Sequence, residues 1–405
     1  MTLDTSQSFS QCEHFNQGRC QSCSLLNLSY DESLQNKAQD VSKILKDVIP
    51  SEVWQPPVGA TKPLGVRQKS KWAINQKTTH LQSNWGFANK EGEVTFDLLE
   101  CPQHHSDLKL VSQTLKTLTE QYKIAGYDIQ KKSGELKFVT LIQGHNTKEI
   151  LIRITLRSRE SIDRLPKLVK DLRERNPQVR SVSATIQPIH AAMREGDQEY
   201  FFTEEKTVRE TVNDFTLFYG AKSFIQVNPL IKQSLYQTAA NWAQNANEQG
   251  PPKSALDLFC GNGGFAFHLA KFIPSVYGIE ISAESIHLAT LAKEANHHLI
   301  PKNHQVEFIQ SNAQLLESDQ LQQILKKIDL LLVNPPRAGL GQELLDKIKK
   351  HRPTTIIYSS CNPETLQENL YQLLPYYKIK QAQMFDMFTF TKHAEVLVFL
   401  QRLPH

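Results

Sequence analysis

No apolar run in this 405-residue chain approaches the roughly 20 residues that a membrane-crossing helix needs, so a membrane-spanning protein is not expected. The first residues, MTLDTSQSFSQ, carry neither the basic nor the apolar stretch of a secretory leader, and a cytoplasmic location is the expectation. Excess charge is small. A net charge of +4 is compatible with a nucleic-acid partner but too weak to argue for one. No internal repeat or low-complexity tract is evident. Cysteine is scarce too, with six residues: Cys12, Cys20, Cys23, Cys101, Cys260 and Cys361. In a reducing compartment so few thiols do not make a disulfide framework, and those that cluster point to metal or catalysis.

What is present is enough chain for two or three domains with real cores. The first hundred residues mix loops with one amphipathic helix around Glu32 to Ile49, followed by the turn-rich PPVGATKPLG. A middle region reads as sheet plus helix: GELKFVTLIQG and EILIRITLR as strands joined by HNTK, RLPKLVKDLRERN as a basic helix, and SVSATIQPIH as another strand. From about Phe215 strands and helices alternate. Helix SLYQTAANWAQNA leads to strands ALDLF, VYGIE, VEFIQ, DLLLV and TIIYSS, an order that predicts a parallel, doubly wound sheet.

Three motifs fall at the carboxyl ends of those strands, the edge where open α/β sheets bind ligands. ALDLFCGNGGFAFHLA is strand, glycine turn and helix, and Gly261, Gly263 and Gly264 let the backbone turn tightly beside a ligand. The next strand ends in Glu280, where a carboxylate commonly grips ribose hydroxyls. GNGGFA also satisfies the loose dinucleotide pattern, which raises an NAD enzyme as an alternative. Against it stands Asn334-Pro335-Pro336-Arg337 at the end of DLLLV, which presents a fixed amide and carbonyl suited to a planar base. The prolines alone could simply stiffen a strand exit. Three motifs at one edge favour S-adenosylmethionine.

The third motif is the thiol in IIYSSCNPETL. Cys361 follows a buried strand and precedes Asn-Pro, which cannot continue it. A small buried apolar residue is the commoner role for cysteine. Its place at the ligand edge points instead to covalent catalysis. C5 of uracil is a poor nucleophile until a thiolate adds to C6; a base must then remove the C5 proton so that the thiol can leave. The tail FDMFTFTKHAEVLVFL offers His393 and Glu395 as that base, each of which could equally be a solvated group at a strand start.

At these residues the chain resembles the RNA uracil-C5 methyltransferase family, most closely the branch that acts on 23S ribosomal RNA. DLFCGNGGFAFHLA, GIEIS, NPPR, SSCNPETL and FDMF…HAE stand in the family's order, with GVRQKSK, GELKFV, IQPIHAAMREG and SFIQVNP upstream. The resemblance implies an α/β fold: a Rossmann-like S-adenosylmethionine-dependent methyltransferase domain over 215–405, an α+β central domain over 106–214 that contacts RNA, and a cysteine-rich amino-terminal segment over 1–105. It implies Cys361 as nucleophile and Glu395 as base, and Gln226, Phe259, Glu280 and Asn334 as cofactor contacts. Thr389-Phe390 departs from the Pro-His common in relatives. The lack of the amino-terminal β-barrel module of another branch points to a uridine of 23S rRNA as target. No protein partner is implied.

Cys12-x7-Cys20-x2-Cys23 with the distant Cys101 suggests a four-thiolate site, for which zinc and an iron–sulfur cluster both qualify. His14, His104 and His105 keep zinc open; the resemblance implies a [4Fe-4S] cluster. Such chemistry needs no electron transfer, so the expected role is structural or RNA-positioning. Lysines and arginines in KWAINQK, KLVKDLRERN and GELKF could hold phosphates, though charged faces are usually just solvated. Three rivals remain. A tRNA uracil-C5 methyltransferase would share the chemistry. An amino-group methyltransferase would also use Asn-Pro-Pro, but with an aromatic where Arg337 stands and without a thiol. An RNA-binding iron–sulfur protein on a degenerate fold would show a broken nucleophile or glycine loop, and neither is broken.

Overall fold

A computed structural model describes residues 12–76, 82–89, 92–189, 196, 198–246, 250–316 and 319–404. His190 to Glu195 of IQPIHAAMREG and Lys77 of KWAINQK lie outside them. The helices are α1 (Glu13–Asn16), α2 (Tyr30–Leu45), α3 (Ser106–Gln121), α4 (Leu165–Arg175), α5 (Pro229–Gln244), α6 (Gly264–Ala270), α7 (Ala283–Ala295), α8 (Asp319–Lys327), α9 (Gln342–His351) and α10 (Pro363–Leu373). The strands are β1 (Lys69–Gln76), β2 (Ser83–Gly86), β3 (Leu136–Gln143), β4 (Ile150–Leu156), β5 (Val179–Ile186), β6 (Glu199–Phe201), β7 (Val208–Val212), β8 (Phe215–Tyr219), β9 (Ser254–Leu258), β10 (Ser275–Glu280), β11 (Gln305–Gln310), β12 (Leu330–Val333), β13 (Thr355–Ser360), β14 (Tyr377–Phe385) and β15 (Glu395–Arg402). Among the described residues no helix is long and apolar enough to cross a membrane.

Two compact units divide the chain. One comprises residues 1–63, 212–217 and 228–405, the other 64–211 and 218–227. The division falls inside the expected amino-terminal segment 1–105, because β1 and β2 pair onto the sheet of the second unit. That six-stranded sheet runs β2-β1-β3-β4-β5-β6, with β4 and β5 parallel across the α4 crossover and the other neighbours antiparallel. β4 is buried along its whole length, and its one charge, Arg153, is neutralised by Glu199 at 2.9 Å.

The first unit holds a seven-stranded sheet in the order β11-β10-β9-β12-β13-β15-β14. Its first five strands are parallel, as the strand–helix alternation requires. β15 breaks the expected pattern, running antiparallel to both of its neighbours, β13 and β14. A short connection across 386–394 suits a hairpin, whereas another parallel strand would need a longer crossover. β12 and β13 are buried throughout, which is why they read as continuous apolar runs. α2 begins at a reciprocal cap: Ser29 Oγ accepts from the Glu32 N–H, and Glu32 accepts from the Ser29 N–H at 3.0 Å. Val41 and Leu45 on its inner face join the core made by β9, β12, β13 and β15. This arrangement leaves the carboxyl ends of β9, β10, β12 and β13 on one edge.

Candidate active site

Cys361 is the first residue beyond β13, and Glu395 is the first residue of β15. Ser359 pairs with Leu397 and Ser360 with Val396, so one further step of this antiparallel register sets Cys361 opposite Glu395. Glu395 is not the solvated charge that a strand start could have made it, being 1% exposed. Burial pushes its carboxyl up to about 7, against a hydrogen bond donated by Ser359 Oγ at 2.5 Å. A carboxyl tuned there is half-ionised near neutrality, which suits a proton acceptor. His393, the other candidate base, is exposed. Burial gives the acid an environment that changes its chemistry.

The thiol of Cys361 is half-buried. Burial first and the Glu395 charge second raise its pKa, while Arg337 opposes both through its charge and a hydrogen bond. The loops carrying these groups are stitched together. Asn362 caps α10, with Pro363 at the first helical position, and its Nδ2 donates to the Arg337 carbonyl at 3.0 Å. Thr365 Oγ1 donates to the same carbonyl at 3.1 Å. A cleft of about 420 Å³ opens over Cys361, lined in part by Lys43, Arg337, Lys392 and His393, with Asp40 and Glu364 on its walls. The cationic side chains can meet phosphates around a base presented to the thiol.

Further along the edge, the glycine turn adopts the backbone its sequence demands. Gly261 and Gly263 have φ of 54° and 86°, and Phe259 shares the left-handed region at 64°. A Cβ on Gly263 would stand 2.7 Å from the Phe308 ring, whereas one on Gly261 would meet nothing within 4 Å. The loop is thus tightly packed behind and open beside Gly261. Glu280 closes it: one carboxylate oxygen accepts from the Gly261 N–H at 3.3 Å and the other from the Ser282 N–H at 2.9 Å. Asn334 follows β12, its N–H on the Leu258 carbonyl at 3.4 Å. Phe259, Glu280 and Asn334 are all partly exposed at this edge, and the open, glycine-walled loop with a carboxylate fits the nucleoside part of S-adenosylmethionine.

The other expected positions fare differently. Gln226 is buried in the second unit, on its 218–227 stretch. Cys12 precedes α1, Cys20 and Cys23 lie in the loops after it, and Cys101 belongs to the second unit; all four are half-buried and none is in a disulfide. Among the described residues no group of three or more His, Cys, Asp or Glu is gathered to hold a metal. The expected [4Fe-4S] ligation by Cys12, Cys20, Cys23 and Cys101 is thus not shown. Thiols bring little attraction of their own to draw them together; a metal ion supplies that cohesion. Two contributors escaped the sequence reading. Ser359 shows only as one of two serines before the cysteine, and Arg337 only as the last residue of the NPPR motif, with no role of its own.

Comparison with known proteins bears on the whole arrangement. The model of the family described as tRNA (Uracil-5-)-methyltransferase matches residues 29–403. A Xenorhabdus bovienii (strain SS-2004) protein named 23S rRNA (uracil(747)-C(5))-methyltransferase RlmC is 35% identical over 390 residues, covering 96% of this chain and 98% of its own. A Shewanella sp. (strain W3-18-1) protein of the same name is 37% identical over 392 residues, covering 96% and 97%. Among solved structures, the Pyrococcus abyssi tRNA (uracil-54, C5)-methyltransferase in complex with S-adenosyl-L-homocysteine superposes with a TM-score of 0.74 at 25% identity, over 94% of this chain and 85% of that one.

Proposed function

This chain belongs to the tRNA (uracil-5-)-methyltransferase family, and we propose that it transfers a methyl group from S-adenosylmethionine to C5 of a uridine in 23S ribosomal RNA, forming 5-methyluridine. The rRNA target is supported by relatives at 35% and 37% identity whose names carry it, against 25% for the tRNA-acting structure. A cytoplasmic location goes with that substrate. The observation that carries the chemistry is the pairing of Cys361 with a buried carboxyl tuned to about 7.

In this reading Cys361, as thiolate, adds to C6 and drives the electron pair toward O4, which makes C5 nucleophilic. Arg337 favours the thiolate, against the larger effects of burial and the Glu395 charge that leave the thiol's pKa raised. S-adenosylmethionine, when bound, supplies the methyl group as an electrophilic sulfonium. Phe259, Glu280 and Asn334 would hold its nucleoside part at the sheet edge. After C5 takes the methyl group, Glu395 accepts the C5 proton, the C5–C6 double bond re-forms, and the C6–S bond breaks to return the thiolate. Burial is what makes Glu395 a stronger base than a solvated carboxylate. On the resemblance of the cysteine spacing to the family's we also propose that Cys12, Cys20, Cys23 and Cys101 take up a [4Fe-4S] cluster.

The test is mass and nuclease mapping of 23S rRNA from cells lacking this chain. One 5-methyluridine should vanish and return with the wild-type chain but not with Cys361→Ala. An unchanged rRNA, with a tRNA 5-methyluridine lost instead, would move the substrate to tRNA.

A further inference from the structure

The loop between β14 and β15 ends at Glu395, and its conformation is set by residues more than 300 positions earlier. Lys37 on α2 and Asp386 at the loop's start form an ion pair in which both side chains are 1% exposed. The same Lys37 ammonium donates to the Phe388 carbonyl at 2.8 Å. Tyr30 Oη donates to the second Asp386 oxygen at 2.7 Å and accepts the Ala60 N–H at 2.6 Å. Around this knot, Thr389 Oγ1 donates to the Pro63 carbonyl at 2.7 Å, and the Leu25 N–H donates to the Phe390 carbonyl at 3.0 Å. Phe390 sits in the left-handed region at φ 58°, its ring buried edge-on to Tyr30 with centroids 5.6 Å apart. A bulky residue is held there only when its surroundings over-determine it.

A buried ion pair is weak evidence for stability, because removing both charges from water offsets much of their attraction. Its attested use is to select one conformation among several. Here the selected conformation is that of the loop whose last step delivers the carboxyl opposite Cys361. We propose that Lys37, Asp386 and Tyr30 are positioning residues for Glu395, an anchor through which α2 sets the base against C5 of the methylated adduct. The proposal rests on the reading of Glu395 as that base. It also assigns a task to Thr389-Phe390: here these residues hold the loop by a tether to Pro63 and by the ring against Tyr30.

The experiment compares Tyr30→Phe and the paired replacement Lys37→Met/Asp386→Leu with Glu395→Gln. The paired replacement removes both charges together, a change that buried pairs commonly tolerate without unfolding. Turnover, KM for S-adenosylmethionine, thermal unfolding and the fraction of protein trapped on RNA in a denaturing gel are read for each. The paired variant should remain folded and lose roughly 10²-fold in kcat with KM for the cofactor little changed, as expected when a reacting group is displaced by about 1 Å. Trapped adduct should accumulate, as in Glu395→Gln, and Tyr30→Phe should show the same signature at about one-tenth the size. A folded paired variant with wild-type kcat and no trapped adduct would overturn the proposal. So would trapping by Glu395→Gln alone, which leaves the base reading standing. Normal turnover by Glu395→Gln would instead remove the base reading, and the anchor's task with it.

Discussion

Two loops on the same sheet edge are built in opposite ways. The turn from Phe259 to Gly264 takes its shape from its own backbone: glycines at positive φ, and a carboxylate at the next strand end that closes it. The loop from Asp386 to Ala394 takes its shape from side chains elsewhere, Lys37 and Tyr30 above all. The first can be altered one residue at a time with local effect. The second transmits changes made at a distance, because its conformation is a property of the packing. The proposed cofactor side of the edge is thus locally encoded, and the proposed proton-transfer side is assembled by the fold.

The largest break in this comparison is expected from Cys361→Ala. It should abolish turnover, by roughly 10⁴-fold or more, because an entire covalent pathway disappears. Cofactor affinity measured by calorimetry should stay at the wild-type value, since the glycine turn is untouched. Substantial residual methylation would remove covalent catalysis from consideration.

Next is Glu395→Gln, which keeps the shape of the side chain and loses its basicity. Turnover should fall about 10²- to 10⁴-fold, with a nuclease-sensitive protein–RNA species on a denaturing gel. The pH dependence sharpens the point. With a folded pKa of about 7, activity should rise as pH increases through that value, and this limb should be missing from whatever activity the variant retains. Stability runs the other way. The folded carboxyl holds its proton up to about 7, whereas the unfolded one loses it near 4.3, so folding takes up a proton between those values. Stability from this group is therefore full below the unfolded pKa, declines as pH rises through the window, and is lost above about 7. Glu395→Gln should unfold at a higher denaturant concentration than wild type at pH 8 and not at pH 4. Parallel unfolding curves at both pH values would mean that the carboxyl is not buried in solution.

A smaller effect should follow Gly263→Ala, which tests the locally encoded loop. A Cβ there meets the Phe308 and Phe267 rings within 3 Å, and alanine resists positive φ by about 1–2 kcal/mol. Cofactor affinity should fall about tenfold or more, while adduct trapping in a Glu395→Gln background persists at saturating cofactor. Loss of trapping with unchanged affinity would mean that the two loops are not separable. Least affected should be cofactor binding in Cys20→Ser/Cys23→Ser, since neither residue belongs to the glycine turn. Anaerobically purified wild-type protein should carry iron and acid-labile sulfide in equal amounts, and the double variant neither. Stoichiometric zinc, or no metal at all, would end the cluster assignment.

Residue order by itself determined the parallel part of the sheet, because buried strands and the helices between them leave a periodicity that can be read directly. It also determined the glycine turn, the strand-end Glu280 and Asn334, and the position of Cys361 at a strand exit, since each depends on neighbours a few residues away. It did not reveal β1, a half-buried run that pairs with β3, or the short, buried β2 that pairs with β1. Nor did it reveal β14, which completes a hairpin with β15. The resemblance favoured Glu395 over His393, but the burial that separates the two belongs to the tertiary structure as well. Both are titratable groups in one short stretch, and only folding excludes water from one of them. The pairing of Lys37 with Asp386, 349 residues apart, has no trace in local sequence. Two opposite charges become partners when the same fold removes both from water, and no spacing along the chain records that event.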